Sequence, residues 1–263
     1  SMVIPLFNMT PTFIYPFAIS AIPAVSSAIA AKRLDKAYSS IESAFRNCAI
    51  ISIPCAIGLA SMSRGIVRLL FKEEMIKNGV SSVSSTELAA PALSVVACAI
   101  VFLGVIAITN SVLQAWRLER YTLVSTGAGV AVKFAATYIV TGIPGTGIIG
   151  SAVGTMLCYF TIMAINLFFV IKKTGYVPNV GRIFVKPLLA GVCCGVSALI
   201  FNFVLLNVGI PEKLTTLAAI AGAVAVYFAV LVFGKGICRD DVLMMPKGEK
   251  ICGVMDKYNL LEK

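Results

Sequence analysis

One lysine, Lys133, lies inside the apolar stretch 121–140, and no other charged residue shares that stretch. A cation at bilayer depth costs about 2.5–3.5 kcal/mol even on the more lenient insertion scales. It therefore faces a bundle interior, a water-filled cavity or an anion, and it sits too far from either end of a 20-residue span to snorkel easily. The chemistry this predicts is anion binding, and Lys133 is the first candidate for a substrate pathway. Asn110 and Gln114 join it as polar groups at depth, with Asn166 and several Ser and Thr residues. For the amides, interhelical hydrogen bonding is the simpler role. Arg64 and Arg68 are four residues apart, on one helical face at a span end. That pair suits either an anionic headgroup or a plain interface anchor.

Other chemistries have little to work with. The twelve acids fall in loops, in the C-terminal tail or at span ends, and the chain has no histidine. A Ser-His-Asp or paired-carboxylate enzyme is not expected, nor is a carboxylate relay for protons or sodium within this segment. The eight cysteines include no C-x-x-C, and without histidine they form no zinc pattern. We expect buried small hydrophobes, no metal, no cofactor and no catalytic residue.

The elements that position these groups are read from hydropathy. Only 13% of the 263 residues are charged and 59% are hydrophobic, against about 25% charged in soluble domains. Seven stretches reach the ~20 residues that cross the hydrocarbon: 3–31, 48–71, 88–116, 121–140, 148–171, 184–206 and 214–233. The chain reads as an all-α polytopic membrane bundle. Pro5, Pro11, Pro16 and Pro23 fall in the first stretch, which predicts a kinked or broken helix there. Between the first two stretches, Leu34, Ala37, Ile41 and Phe45 recur at helical spacing. This is either an amphipathic surface helix or an extension of the second span. Residues 235–263 read as a polar tail.

Alternate loops differ in charge. Lys32, Arg33, Lys36, Arg46, Arg117, Arg120, Lys172, Lys173, Arg182, Lys186 and the basic tail share one side. Arg64, Arg68, Lys72, Lys77 and Lys213 share the other. The richer side is expected to be cytoplasmic, so the tail is placed inside and the first residues outside. The net charge of +10 is read as topology signal and attraction to membrane lipids, not as nucleic-acid binding.

Gly145-Thr146-Gly147-Ile148-Ile149-Gly150 matches a dinucleotide-binding pattern, but it lies among apolar spans and the next acid is Glu212. A tight turn followed by a small-residue helix face, Gly150-x-x-x-Gly154, is the better reading. Gly191-x-x-x-Gly195 is a second such face. Trp116, Arg117 and Tyr121 read as interface anchors.

Several runs taken together carry a resemblance: PLFNMTPTFIYPFAISAIPAVSSA at 5–28, CAIGLASMSRGIVRLLF at 55–71 and TNSVLQAWRLERYTLVSTGAGVAVKF at 109–134. GIPGTGIIGSAVGTMLCYF at 142–160 and DDVLMMPKGEKI at 240–251 complete them. In order and spacing, the chain resembles the C-terminal half of polysaccharide-type lipid flippases, nearest to stage V sporulation protein B and its relatives. These belong to the superfamily that also contains the murein lipid flippases and the multidrug extruders. The resemblance implies fourteen helices in two lobes around a central cavity, working by alternating access, with an N-terminal half as the missing partner. It puts Lys133 where relatives often carry a lysine, and Gln114 in an L-Q motif whose usual following glycine is here Ala115. The implied activity is flipping of an undecaprenyl-pyrophosphate-linked peptidoglycan or polysaccharide precursor in a bacterial cell membrane, with Lys133 as partner of the pyrophosphate. A cation-coupled multidrug extruder is the alternative within transport, and a non-transporting scaffold for sporulation or envelope assembly is the alternative outside it.

Overall fold

The computed structural model describes residues 3–71, 75–78, 81–143, 147–207 and 211–234. The tail at 235–263, with Cys238 and Cys252, lies outside the described residues, as do Lys72, Glu73, Glu74, Gly145 and Thr146. The described chain forms α1 (Val3–Ala30), α2 (Leu34–Ser61), α3 (Ser63–Leu70), β1 (Met75–Asn78), β2 (Ser81–Ser84), α4 (Ser85–Ala115), α5 (Glu119–Thr141), α6 (Gly147–Thr174), α7 (Val180–Asn207) and α8 (Glu212–Phe233). All the helices but α3 are long and apolar enough to cross a membrane. The protein is a multi-pass helical bundle, as its hydropathy predicts.

Short connections make successive long helices antiparallel. The turns at 31–33, 116–118 and 175–179 gather at what we call the basic end, while α3 and the β1–β2 ribbon lie at the hairpin end. Two of the basic-end turns use the same closure. Leu118 N–H donates to Leu113 O and Arg117 N–H to Gln114 O; Arg33 N–H donates to Ala28 O and Lys32 N–H to Ile29 O. In each, the last helical carbonyls are satisfied by a left-handed residue. That residue is Arg117 (φ 57°) or Lys32 (φ 55°), where glycine is commoner. A cation there faces the negative end of a helix dipole, which offsets part of the strain.

Packing runs in sequence across the bundle. α5 lies on α6, α6 on α4, α4 on α1 and α2, α2 on α7, and α7 on α8. Because lipid tails are as apolar as leucine, close approach has to come from small residues. Gly104 of α4 sits where a Cβ would lie 2.9 Å from Cys48 Sγ and 3.0 Å from Ser52 Oγ of α2. Gly191 and Gly195 of α7 meet Ile53 and Ile57 of α2, and Gly150 and Gly154 of α6 meet Thr141, Thr137 and the Lys133 carbonyl of α5. Both small-residue faces therefore serve close helix contact.

Three readings from sequence are corrected. Of the kinked or broken helix expected at the start, the break is corrected: α1 runs continuously through Pro11, Pro16 and Pro23. Its neighbours α2 and α4 hold it, and prolines are tolerated in membrane helices when the freed carbonyls find other partners. The second helix begins at Leu34, not at Cys48, and it ends at Ser61, not Phe71. Of the two alternatives for residues 34–45, the extension of the second span is what forms: they are the first turns of α2. Leu34 is exposed, but Ala37, Ile41 and the residues from Ser43 to Arg46 are buried, where Tyr38, Phe45 and Arg46 lie against the end of α6 and the 175–179 connection. Tyr38 Oη donates to Thr174 O at 2.8 Å, and Phe45 stacks on Tyr176 at 6.3 Å between centroids. Beyond Met62 the chain restarts as α3, whose Arg64 and Arg68 make it amphipathic rather than a continuation of an apolar span. The third correction is small: the loop after α3 carries a two-stranded antiparallel ribbon, with Met75 opposite Ser84.

Tyr176 is 6% exposed in that connection. Burial pushes its hydroxyl pKa well above the usual tyrosine range, the Glu42 carboxylate pushes the same way, and the Arg46 guanidinium opposes both.

Candidate functional site

A cavity of about 550 Å³ lies in the half of the bundle nearer the hairpin end. α1 contributes Val3, Ile4, Phe7 and Asn8; α4 contributes Ser85, Leu88, Ala89, Ala92 and Val96. α5 supplies Lys133, and α6 supplies Ser151, Ala152, Thr155 and Tyr159. Lys133 brings the one charge among these lining residues, and no carboxylate is among them. Asn8, Ser85, Ser151, Thr155 and Tyr159 add hydroxyl and amide groups on otherwise apolar walls. Such a surface, largely apolar with a few convergent polar groups, is the usual form of a small-ligand site.

Local structure explains the placement. Gly154 brings α6 so close to α5 that a Cβ there would lie 3.3 Å from the Lys133 carbonyl. This sets Lys133 beside the α6 hydroxyls. Lys133 is eight residues before Thr141, the end of α5, so it lies about 12 Å from the hairpin end of that helix at 1.5 Å per residue. Its side chain is exposed, which leaves the ammonium accessible from the cavity. On the opposite wall, Phe7 packs against Tyr159 with centroids 5.6 Å apart. The residue four beyond Phe7 is Pro11, which has no N–H to give. The Phe7 carbonyl on the cavity wall therefore lacks its helical donor. The site offers one exposed cation and several neutral hydroxyl and amide groups. That set can hold an anionic, hydroxylated ligand and can do no acid–base catalysis by carboxylate or imidazole.

Lys133 is the one member of the candidate pathway set that lines this cavity. Asn110 belongs to a separate polar cluster nearer the basic end, where Asn166 Nδ2 donates to Asn110 Oδ1 at 2.6 Å and to Thr109 Oγ1 at 3.3 Å. Ser125 Oγ reaches Asn166 Oδ1 at 2.5 Å, with the Thr122 carbonyl at 2.9 Å as its alternative acceptor. Asn166 is fully buried and joins α4, α5 and α6. The interhelical role expected of these amides is what the geometry displays. Gln114 is exposed at the basic end of α4. Arg64 and Arg68 lie on α3 at the hairpin end, where Arg68 Nη1 pairs with Glu212 Oε1 at 2.7 Å.

Sequence reasoning missed Asn8, Ser151, Thr155 and Tyr159. Hydroxyls are ordinary in membrane helices, and nothing in their spacing assigns these to one cavity. Pro11 was the available signal for the Phe7 carbonyl, since the donor lost by a proline is always four residues before it.

Over 259 residues the chain is 24% identical to an uncharacterized membrane protein, YabM, of Bacillus subtilis (strain 168), a match covering 95% of this chain. It covers 45% of YabM, so the chain spans about half the length of that relative. The family model described as lipid II flippase MurJ matches residues 9–235. The chain belongs to the lipid II flippase MurJ family.

Proposed function

We propose that this chain forms one lobe of a two-lobe transporter that flips an undecaprenyl-pyrophosphate-linked peptidoglycan or polysaccharide precursor by alternating access. The observation that carries the reading is the placement of Lys133. It is an accessible cation on a 550 Å³ cavity wall with no carboxylate among the lining residues and with hydroxyls from α4 and α6 beside it. In that setting an ammonium gains more from a pyrophosphate than it would in water, because the surroundings screen the attraction less. The sugar hydroxyls of such a substrate match Asn8, Ser151, Thr155 and Tyr159. The 45% coverage of a longer relative supports a second lobe as the opposite wall and as the partner of this chain. Within the family, the likeness of 5–28 and 240–251 to the stage V sporulation protein B branch supports a role in a spore-forming bacterium. The distribution of Lys and Arg supports a cytoplasmic basic end, which would place the cavity in the outer half of the membrane. Cation-coupled extrusion has no carboxylate to use among the lining residues.

The test is flipping of a lipid-linked precursor by the full-length protein in vesicles. Lys133→Ala should lower the rate at least tenfold with insertion unchanged, while Lys133→Arg should keep most of it. Unchanged transport in Lys133→Ala would remove the assignment.

A further inference from the structure

A second pocket, of about 430 Å³, lies at the hairpin end between α3 and α8, away from the cavity described above. Gly65, Arg68 and Phe71 line one side, and Glu212, Lys213 and Thr216 the other. We propose that it binds the phosphate of an anionic glycerophospholipid, independently of any transport function.

The two elements meet closely. A Cβ on Gly65 would lie 3.0 Å from Thr216 Oγ1, and Thr216 itself donates to Glu212 O at 2.9 Å. The buried face of α3 is Ser63, Ile66 and Val67, whereas Arg64 and Arg68, one turn apart, are exposed. An eight-residue helix with one apolar and one cationic face, at the end of a membrane bundle, suits the headgroup region. The Arg68–Glu212 pair fixes the guanidinium at the pocket mouth. Among the described residues, the lining cations Arg68 and Lys213, with Arg64 one turn from Arg68, outnumber the one lining carboxylate, Glu212. The site also presents apolar surface beside those cations: Leu70 is 56% exposed and Leu214 58% exposed. A free anion gains nothing from those leucines. An amphiphile covers them with acyl chain while its phosphate meets the cations, so the juxtaposition favours a lipid over inorganic phosphate.

The test uses the full purified chain in neutral detergent, with melting temperature followed during titration of three probes. These are phosphatidylglycerol, phosphatidylcholine with the same acyl chains, and inorganic phosphate. The expected result is stabilisation by phosphatidylglycerol at lower concentration than by phosphatidylcholine. Replacing Arg64→Gln with Lys213→Gln leaves the Arg68–Glu212 pair in place, so the lipid-free melting temperature should not change. Its phosphatidylglycerol midpoint should rise about 25-fold, from about fivefold per cation removed near a membrane surface. The charge-preserving pair Arg64→Lys with Lys213→Arg should keep the original midpoint. An unshifted midpoint in the glutamine variant, equal response to the two lipids, or a shifted midpoint in the charge-preserving variant would overturn the proposal. Stabilisation by inorganic phosphate at the concentration where phosphatidylglycerol acts would assign the pocket to a free anion and overturn the lipid reading.

Discussion

The position of Lys133 depends on one glycine, and that dependence can be measured. A methyl group added at Gly154 would overlap the Thr137 hydroxyl and come within 3.3 Å of both the Lys133 carbonyl and the Thr137 amide nitrogen. Two of those three neighbours are backbone atoms and cannot rotate away. Overpacking of this kind costs about 1–3 kcal/mol, against a helix-propensity gain of up to about 1 kcal/mol for Gly→Ala. The net expectation for Gly154→Ala is a loss of about 1–2 kcal/mol. Gly127, on the same hairpin, meets nothing within 4 Å. Gly127→Ala should therefore be neutral or stabilising by up to about 1 kcal/mol. Adding Thr137→Ala to Gly154→Ala removes the hydroxyl overlap but leaves the backbone approach, so it should recover part of the loss, and the two changes should be non-additive. The assay is equilibrium unfolding in mixed micelles, followed by helical circular dichroism, on the wild type, these three variants and Thr137→Ala alone. If Gly154→Ala proves as stable as Gly127→Ala, close α5–α6 contact does not set the Lys133 side of the cavity.

Two further outcomes follow from the polar groups. Asn166→Leu removes the bonds to Asn110, Thr109 and Ser125. At about 0.6 kcal/mol for an average intramembrane hydrogen bond, it should cost about 1–2 kcal/mol by the same unfolding assay, and no loss would show the network to be energetically idle. Tyr176 has a folded-state pKa raised above its unfolded value of about 10. Its contribution is fully present below pH ~10 and is lost as pH rises from there toward the folded value. Melting should be insensitive to this group between pH 6 and 9 and decline above ~10, and Tyr176→Phe should make that decline shallower. A Tyr176-dependent change near neutral pH would contradict the burial argument.

The helices were legible wherever membrane exposure and hydropathy agree. α4 and α8 both appear as runs of apolar residues, α4 because it is buried at the centre of the bundle and α8 because much of it is exposed apolar surface. The reading slipped where a polar residue is paid for inside the protein. Glu42, Arg46 and Asn47 lower the hydropathy of the early turns of α2, and the contacts of Tyr38 with Thr174 and of Phe45 with Tyr176 that hold these turns leave no local trace. Arg64 and Arg68 were visible as a pair, but the break at Met62 that frees them into α3 is a matter of backbone geometry (φ −108°, ψ 21°). Lys133 could be found from sequence because a lone cation in an apolar run is expensive anywhere. Asn8, Ser151 and Thr155 could not, because a neutral hydroxyl or amide is cheap until folding gathers several around one space.

The α5–α6 hairpin is joined differently at its two ends. Near the basic end, Ser125 is fastened to Asn166, which in turn holds α4; toward the hairpin end, the contact is the shape fit of Gly150 and Gly154. Lys133 is eight residues from Ser125, about 12 Å along the axis. With the amide cluster as fulcrum, a tilt of α5 by about 10° would carry the lysine backbone about 2 Å, and the residues near Thr141 farther still. The stiffness of one hydrogen-bonded joint would then govern how far a charge travels across the cavity, and softening that joint would change its reach without touching the cavity wall.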